Sequence, residues 1–196
     1  MPPYIRGLIF DCDGTLVDSM PLHMKAWEHV IRMKDGPWDY DFFFSKKGMP
    51  ERSIVNLYNK HYALQLDPGG TVNLKHEFFR ARASELKPIS YVVEIVCRYK
   101  GILPMAVASG GTRENVLLEL NSLGIESFFQ AIVSADDDIR PKPSPDIFLE
   151  AARRIGVAPE LCQVFEDGDL GLEAARRAGM LPTDIRNYHQ RSEPRP

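Results

Sequence analysis

The 196-residue chain is poor in several things, and each shortage removes a class of protein. Its three cysteines, Cys12, Cys97 and Cys162, are odd in number and widely spaced. Neither a disulfide framework nor a zinc site is built that way, and a reducing cytoplasm is the expected compartment. Basic charge is not in excess: 24 Lys and Arg face 27 Asp and Glu, a formal net charge of −3, so no electrostatic footprint for nucleic acid exists. No run approaches the ~18 apolar residues needed to span a bilayer. Met1-Pro-Pro-Tyr-Ile-Arg6 lacks the charged start and apolar stretch of a secretory leader, so no membrane partner is expected. Neither a fixed-period repeat nor a heptad is present, and a monomer is the expectation. The segment Arg191 to Pro196 is too polar and proline-rich to pack, which predicts a disordered tail over 191–196.

What is there is an ordinary globular composition, 44% hydrophobic and 26% charged, enough for one core with a small insert. Short, continuous apolar runs recur at Leu8-Ile9-Phe10, Pro104 to Ala108, Phe129 to Val133 and Cys162 to Phe165, each followed by a polar or glycine-containing turn. Continuity, as opposed to alternation, predicts strands buried on both faces, as in a parallel sheet. Helix punctuation fills the gaps: Ser144-Pro145 and Gly156 bracket 146–155, Ser90 and Gly101 bracket 91–100, Thr112 and Gly124 bracket 113–123, and Gly179 ends 171–178. The second half reads β-α-β-α-β-α, an α/β Rossmann-like fold with a parallel sheet, helices on both faces, and a ligand site beyond the carboxyl ends of the strands. About 80 residues separate the first strand from the second, too many for one crossover helix. Met20, Met24, Trp27 and Ile31 recur at helical spacing, and further helices are expected over 52–62 and 73–86. The predicted organisation is a Rossmann-like core of 1–15 with 88–190 and a small inserted helical cap over 16–87.

The chemistry is concentrated at strand ends. In Asp11-Cys12-Asp13-Gly14-Thr15-Leu16 the two aspartates lie two apart and can converge on one space. One could ligate a metal as carboxylate while the other is driven towards its protonated form, a division that suits a nucleophile beside a general acid. By itself the pattern is equally a loop or a calcium-like turn. Ser109 follows the strand ending at Ala108, Lys142 precedes the helix at 146, and Glu166-Asp167 follows Val164-Phe165. Singly these read as a helix-entry hydroxyl, a solvated charge and surface acid. Together they supply the hydroxyl, fixed cation and metal carboxylate that phosphoryl transfer uses.

Asp11-Cys-Asp-Gly-Thr-Leu16, Val107-Ala-Ser109, Lys142-Pro-Ser-Pro-Asp-Ile-Phe148 and Phe165-Glu-Asp-Gly-Asp-Leu-Gly171 resemble the four motifs of the haloacid dehalogenase superfamily. They are most similar to the branch holding β-phosphoglucomutase and small sugar-phosphate phosphatases, and the match runs in order along almost the whole chain. The resemblance implies that Asp11 attacks phosphorus, that Asp13 protonates the leaving oxygen and then activates water, and that Ser109 and Lys142 hold the phosphoryl oxygens. It also implies Mg²⁺ on the carboxylates of Asp11 and Asp167 and the main-chain carbonyl of Asp13, with Glu166 near or acting through water. A small phosphorylated metabolite is the implied partner. In the cap, His23 matches a histidine of this branch, and Lys47-Gly48-Met-Pro-Glu-Arg52 resembles the mutases' substrate loop with its arginine one residue late. One residue turns a helical side chain by roughly 100°. A mutase must hold a second phosphate firmly, so hydrolysis is the expected outcome. After Ser109 the branch commonly carries a second hydroxyl or amide and then a basic residue; here stand Gly110-Gly111-Thr112-Arg113, and backbone N–H groups could substitute. Asp136-Asp137-Asp138 reads as a solvated acidic turn.

Three rivals differ in testable ways. A phosphomutase would return the phosphoryl group to a rotated intermediate. A receiver-type phosphoacceptor module would place its paired acids first and its acceptor mid-chain, the reverse of the order here. A dehalogenase would lack Asp13, since a halide leaves without a proton.

Overall fold

The computed structural model describes residues 2–47 and 49–189. In chain order the elements are β1 (Gly7–Phe10), β2 (Val17–Asp18), α1 (Met20–Met33), α2 (Tyr40–Phe44), α3 (Glu51–Tyr62), α4 (Pro68–Arg80), β3 (Lys87–Pro88), α5 (Ser90–Tyr99), β4 (Met105–Ala108), α6 (Arg113–Ser122), β5 (Ala131–Val133), α7 (Asp146–Ile155), β6 (Cys162–Glu166), α8 (Asp169–Arg177), β7 (Leu181–Asp184) and α9 (Arg186–His189). Two compact units result, one of residues 1–18 and 87–196, the other of residues 19–86. The expected disordered tail, 191–196, lies outside the described residues.

The first unit is built on a five-stranded sheet in the order β5-β4-β1-β6-β7, with every neighbouring pair parallel. β1 is central and wholly buried, as its uninterrupted Gly-Leu-Ile-Phe run demands. The chain winds outward from β1 to β4 and β5, then returns to β6 and β7 on the other side, so strand order reverses at β1. That reversal opens a crevice at the carboxyl ends of β1 and its neighbours.

The pleat sorts each strand between two faces. Ile9, Ala106, Ala108, Val133 and Val164 pack with Ile147, Phe148, Ala151 and Ala152 of α7 and with Ala174 and Ala175 of α8. The intervening residues Leu8, Phe10, Met105, Val107 and Phe165 point the other way, and Phe10 stacks on Phe165 with ring centroids 4.8 Å apart. Right-handed crossovers put α5 and α6 on that second face, where Val92, Val96, Val116 and Leu120 are fully buried. Burial at 25 cal/mol per Å² makes each such side chain worth about 2 kcal/mol, so the two faces dominate the stability of this unit.

The structure departs from the expected punctuation at two helix starts. Ser90 is the first helical residue of α5 and Ile89 is its N-cap; Pro145 is the N-cap of α7, and Ser144 donates to Asp146 Oδ1 at 2.8 Å. Neither serine caps. Thr112 does, accepting from Asn115 N–H at 3.4 Å, and Gly156 ends α7 in the left-handed region at φ 69°. A fifth strand, β7, was not among the four expected runs, because Leu181-Pro-Thr-Asp184 carries little apolar signal.

The second unit is helical. Met24, Trp27 and Ile31 of α1 form its core with Phe43 of α2, Ile54, Val55 and Tyr58 of α3 and Val72 of α4, and Met20 packs against them. α4 begins at Pro68, five residues before the expected 73. Asp67 accepts from Gly70 N–H at 2.7 Å and Pro68 occupies the first turn, which together start the helix there.

Candidate active site

Four of the expected residues stand at three neighbouring strand ends. Asp11 follows β1, Ser109 follows β4, and Glu166 ends β6 with Asp167 next in chain. Asp11 N–H donates to Phe165 O at 3.0 Å, extending the β1–β6 ladder by one residue and fixing the nucleophile candidate's backbone. Lys142 arrives from the loop after β5. Its Nζ donates to Asp11 Oδ1 and to Glu166 Oε2, 2.7 Å to each.

That loop is braced. Asp137 accepts from Ser134 N–H at 2.8 Å and pairs with Arg154 of α7 and Arg113 of α6 at 2.5 and 3.4 Å. The acidic run 136–138 is therefore no merely solvated turn, since Asp137 ties the β5 end to two helices and Asp136 accepts from Arg113 N–H. Arg113 is spent in this brace. Gly111 N–H donates to Ser109 Oγ at 3.0 Å, so this N–H is used inside the loop, while Gly110 is exposed with open space where a side chain would be.

Asp11, Glu166 and Asp167 bring one carboxylate oxygen each within 4.8 Å of one another. Two glycines make room for them. Gly14 stands at φ +76°, and a Cβ there would lie 2.7 Å from Asp167 Oδ2; a Cβ on Gly171 would lie 2.0 Å from Glu166 Oε2. Thr15 Oγ1 donates to Asp167 at 3.4 Å and Gly168 N–H to Glu166 Oε1 at 2.9 Å. Burial pushes the Asp11 carboxyl up to about 6, against the pull of Lys142 and with Asp167 and Asp13 adding to the rise. Burial and then Asp11 push Glu166 to about 7. Lys142 stays charged: burial opposes the ammonium, but Asp11 and Glu166 hold its pKa above the ordinary value. More negative charge is gathered here than one lysine offsets, and every donor atom is oxygen. A hard divalent cation fits such a set, and would offset the mutual repulsion that adds to burial in raising both acids.

Sequence reasoning missed one group in this unit. Glu119 of α6 is 1% exposed, accepts from the Cys12 thiol at 3.0 Å and stands against the Asp13 carboxyl. Burial first, then Asp13, holds it well above the usual carboxyl range, and the same burial pushes the Cys12 thiol up.

In the helical unit His23 stacks on Phe79 with centroids 4.3 Å apart, and its Nδ1 lies 2.7 Å from Lys75 Nζ. Lys75, 1% exposed and also missed, pairs with Glu51 at 2.5 Å, and Glu51 also bonds His76. Glu51 opens α3, where the helix dipole favours an anion. Its carboxyl is drawn down to about 2: burial acts upward, and the contacts of His76 and Lys75 outweigh it. Arg52 is exposed on the first turn of α3 by the Asp67 turn, and Lys47 is exposed with its ammonium 5.6 Å from the Phe44 ring. Gly48 lies outside the described residues.

Comparison with known proteins agrees with this geometry. A model of haloacid dehalogenase-like hydrolases matches residues 5–179. A fructose-1-phosphate phosphatase of Escherichia coli K12, YqaB, is 37% identical over 92% of this chain and 96% of its own length. A β-phosphoglucomutase of Bacillus subtilis is 27% identical over 85% of this chain and 77% of its own. Among solved structures, CbbY from Rhodobacter sphaeroides in complex with phosphate superposes with a TM-score of 0.79 at 26% identity, covering 91% of this chain and 84% of that one. The chain therefore belongs to the haloacid dehalogenase-like hydrolases, an enzyme family. Its relatives include sugar-phosphate phosphatases and mutases of the β-phosphoglucomutase branch. Among the described residues no helix is long and apolar enough to cross a membrane.

Proposed function

We propose that this chain is a Mg²⁺-dependent cytoplasmic phosphatase of small phosphorylated metabolites, sugar phosphates foremost, working through an aspartyl-phosphate on Asp11. The observation that carries the reading is Lys142 joined at 2.7 Å to both Asp11 and Glu166 at the ends of adjacent central strands. The Asp11 carboxylate forms a bond to phosphorus as the ester oxygen leaves, and Asp13 gives that oxygen its proton. Asp13 then takes a proton from water, whose oxygen bonds to phosphorus; the aspartyl–phosphate bond breaks and inorganic phosphate departs. Lys142 and the Ser109 hydroxyl hold the phosphoryl oxygens, so that an anionic nucleophile and an anionic ester can meet. Asp11, Asp167 and the Asp13 carbonyl would hold the metal, with Glu166 beside them, and when bound it supplies charge neutralisation and orientation. Residues 19–86, with His23, Lys47, Gly48 and Arg52, serve as the cap that selects the ester, alongside Gly110 of the core.

The resemblance to fructose-1-phosphate phosphatase supports a sugar phosphate as substrate, while the mutase relative keeps phosphoryl return to a sugar as the second reading. Phosphate release from a panel of metabolite esters, with and without Mg²⁺ and beside Asp11→Asn, tests the first. Turnover that survives Asp11→Asn nearly intact removes Asp11 as nucleophile. Efficient isomerisation of hexose 1-phosphate without phosphate release favours the mutase.

A further inference from the structure

The buried residues of α6 are Asn115, Val116, Glu119 and Leu120. Two of these four are polar, and both carry a buried oxygen with no hydrogen-bond donor, Asn115 Oδ1 and Glu119 Oε1. A helix face turned to a sheet is served best by apolar side chains, and a buried carboxyl with one oxygen unmatched costs stability. Glu119 must be explained by what it touches. Its Oε2 accepts from the Cys12 thiol, a weak donor on the residue between the two motif aspartates. One of its carboxyl oxygens lies within 4.8 Å of one of Asp13. Asp13 itself sits where the loop after Ser109 meets α6: a Cβ on Gly111 would lie 3.5 Å from both Asp13 Oδ2 and Val116 Cγ2.

We propose that Glu119 is a positioning residue for Asp13: held by the Cys12 thiol, its carboxyl confines that of Asp13 to the orientation from which a proton reaches the leaving oxygen. The inference rests on the phosphatase reading and deepens it. No bond to Glu119 forms or breaks in the reaction; its effect is confined to the step in which the ester oxygen departs with the proton of Asp13.

Such a role has a signature that a packing role lacks. The ratio kcat/KM reports events up to departure of the leaving group. A sugar alkoxide needs a proton in order to leave, whereas nitrophenolate does not. Glu119→Leu is therefore expected to lower kcat/KM for fructose 1-phosphate by roughly tenfold or more, while p-nitrophenyl phosphate changes by about twofold at most. Glu119→Gln, whose amide offers both a donor and an acceptor, recovers most of the loss. Because leucine suits the buried face, the Glu119→Leu protein should melt no lower than the unmodified chain. Equal losses on both esters, no loss on either, or failure of Glu119→Leu to fold would each overturn the proposal and return the residue to packing. Hydrolysis of neither ester by the unmodified chain would instead bring down the phosphatase reading, and this proposal with it.

Discussion

Each unit of the molecule holds a lysine between partners, and the two lysines live in opposite electrostatic worlds. Lys142 lies between Asp11 and Glu166, with Asp167 and Asp13 close behind, and both of its partners are pushed up, to about 6 and about 7. Lys75 lies with Glu51, His23 and His76, and there the single carboxyl is drawn down to about 2. In the helical unit the charges settle one another, and the cluster serves the fold. In the sheet unit the negative charge is left unsettled, which costs stability and suits the cation proposed for that site. The same residue type thus marks a structural device in one place and a chemical one in the other.

The sharpest way to break this contrast is to neutralise one acid in each cluster. Asp11→Asn should lower phosphate release by at least about 10³-fold while leaving the melting temperature unchanged or higher, because it removes a charge from a crowded group. Glu51→Gln should do the reverse, leaving Lys75 buried without its anion. A loss on the order of 3 kcal/mol is expected in urea unfolding. The sign with pH follows from the lowered carboxyl: the Glu51 contribution is complete above the ordinary value of 4.5 and fades as pH falls towards about 2. The difference in stability between unmodified and Glu51→Gln chains should therefore shrink between pH 5 and pH 3, judged in the same urea titration. If Asp11→Asn destabilises and Glu51→Gln does not, the comparison is wrong.

Gly171→Ala sharpens the sheet side alone. A methyl group 2.0 Å from Glu166 Oε2 must displace that carboxylate from Lys142. About 1–3 kcal/mol of stability should go, and the Mg²⁺ concentration for half-maximal activation should rise several-fold, read by titrating the metal at saturating ester. The smallest effect compares two helix starts. Thr112→Ala removes a cap and should cost about 1 kcal/mol, whereas Ser90→Ala, at a residue that caps nothing, should stay within about 0.5 kcal/mol in the same urea experiment.

Most of the sheet unit could be read from the chain because its signals are local. Continuous apolar runs gave β1, β4, β5 and β6, and the polar residue after each run fell at the strand end where an α/β sheet gathers its chemistry. The meeting of Lys142, Asp11, Glu166 and Asp167 follows from that topology. What escaped was long-range or ambiguous. Lys75 and His23 are 52 positions apart, Cys12 and Glu119 are 107, and nothing near Lys75 or Glu119 distinguishes it from a solvated helix charge. Ser90 and Ser144 looked like caps because residue type alone cannot say whether a hydroxyl turns back to the helix or towards a neighbour. β7 went unseen since its pairing with β6 replaces the hydrophobic run it lacks.

The placement of Asp11 directly after β1 carries a further consequence for motion. β1 is hydrogen-bonded on both sides, to β4 and β6, and all four of its residues are buried. Amides in such a strand exchange with solvent only when the entire sheet comes apart, whereas helix ends and loops open at far lower cost. The carboxylate proposed as nucleophile is thereby joined to a central strand paired on both sides, the kind of backbone that opens last, so that fraying of helix ends and loops does not reach its main chain.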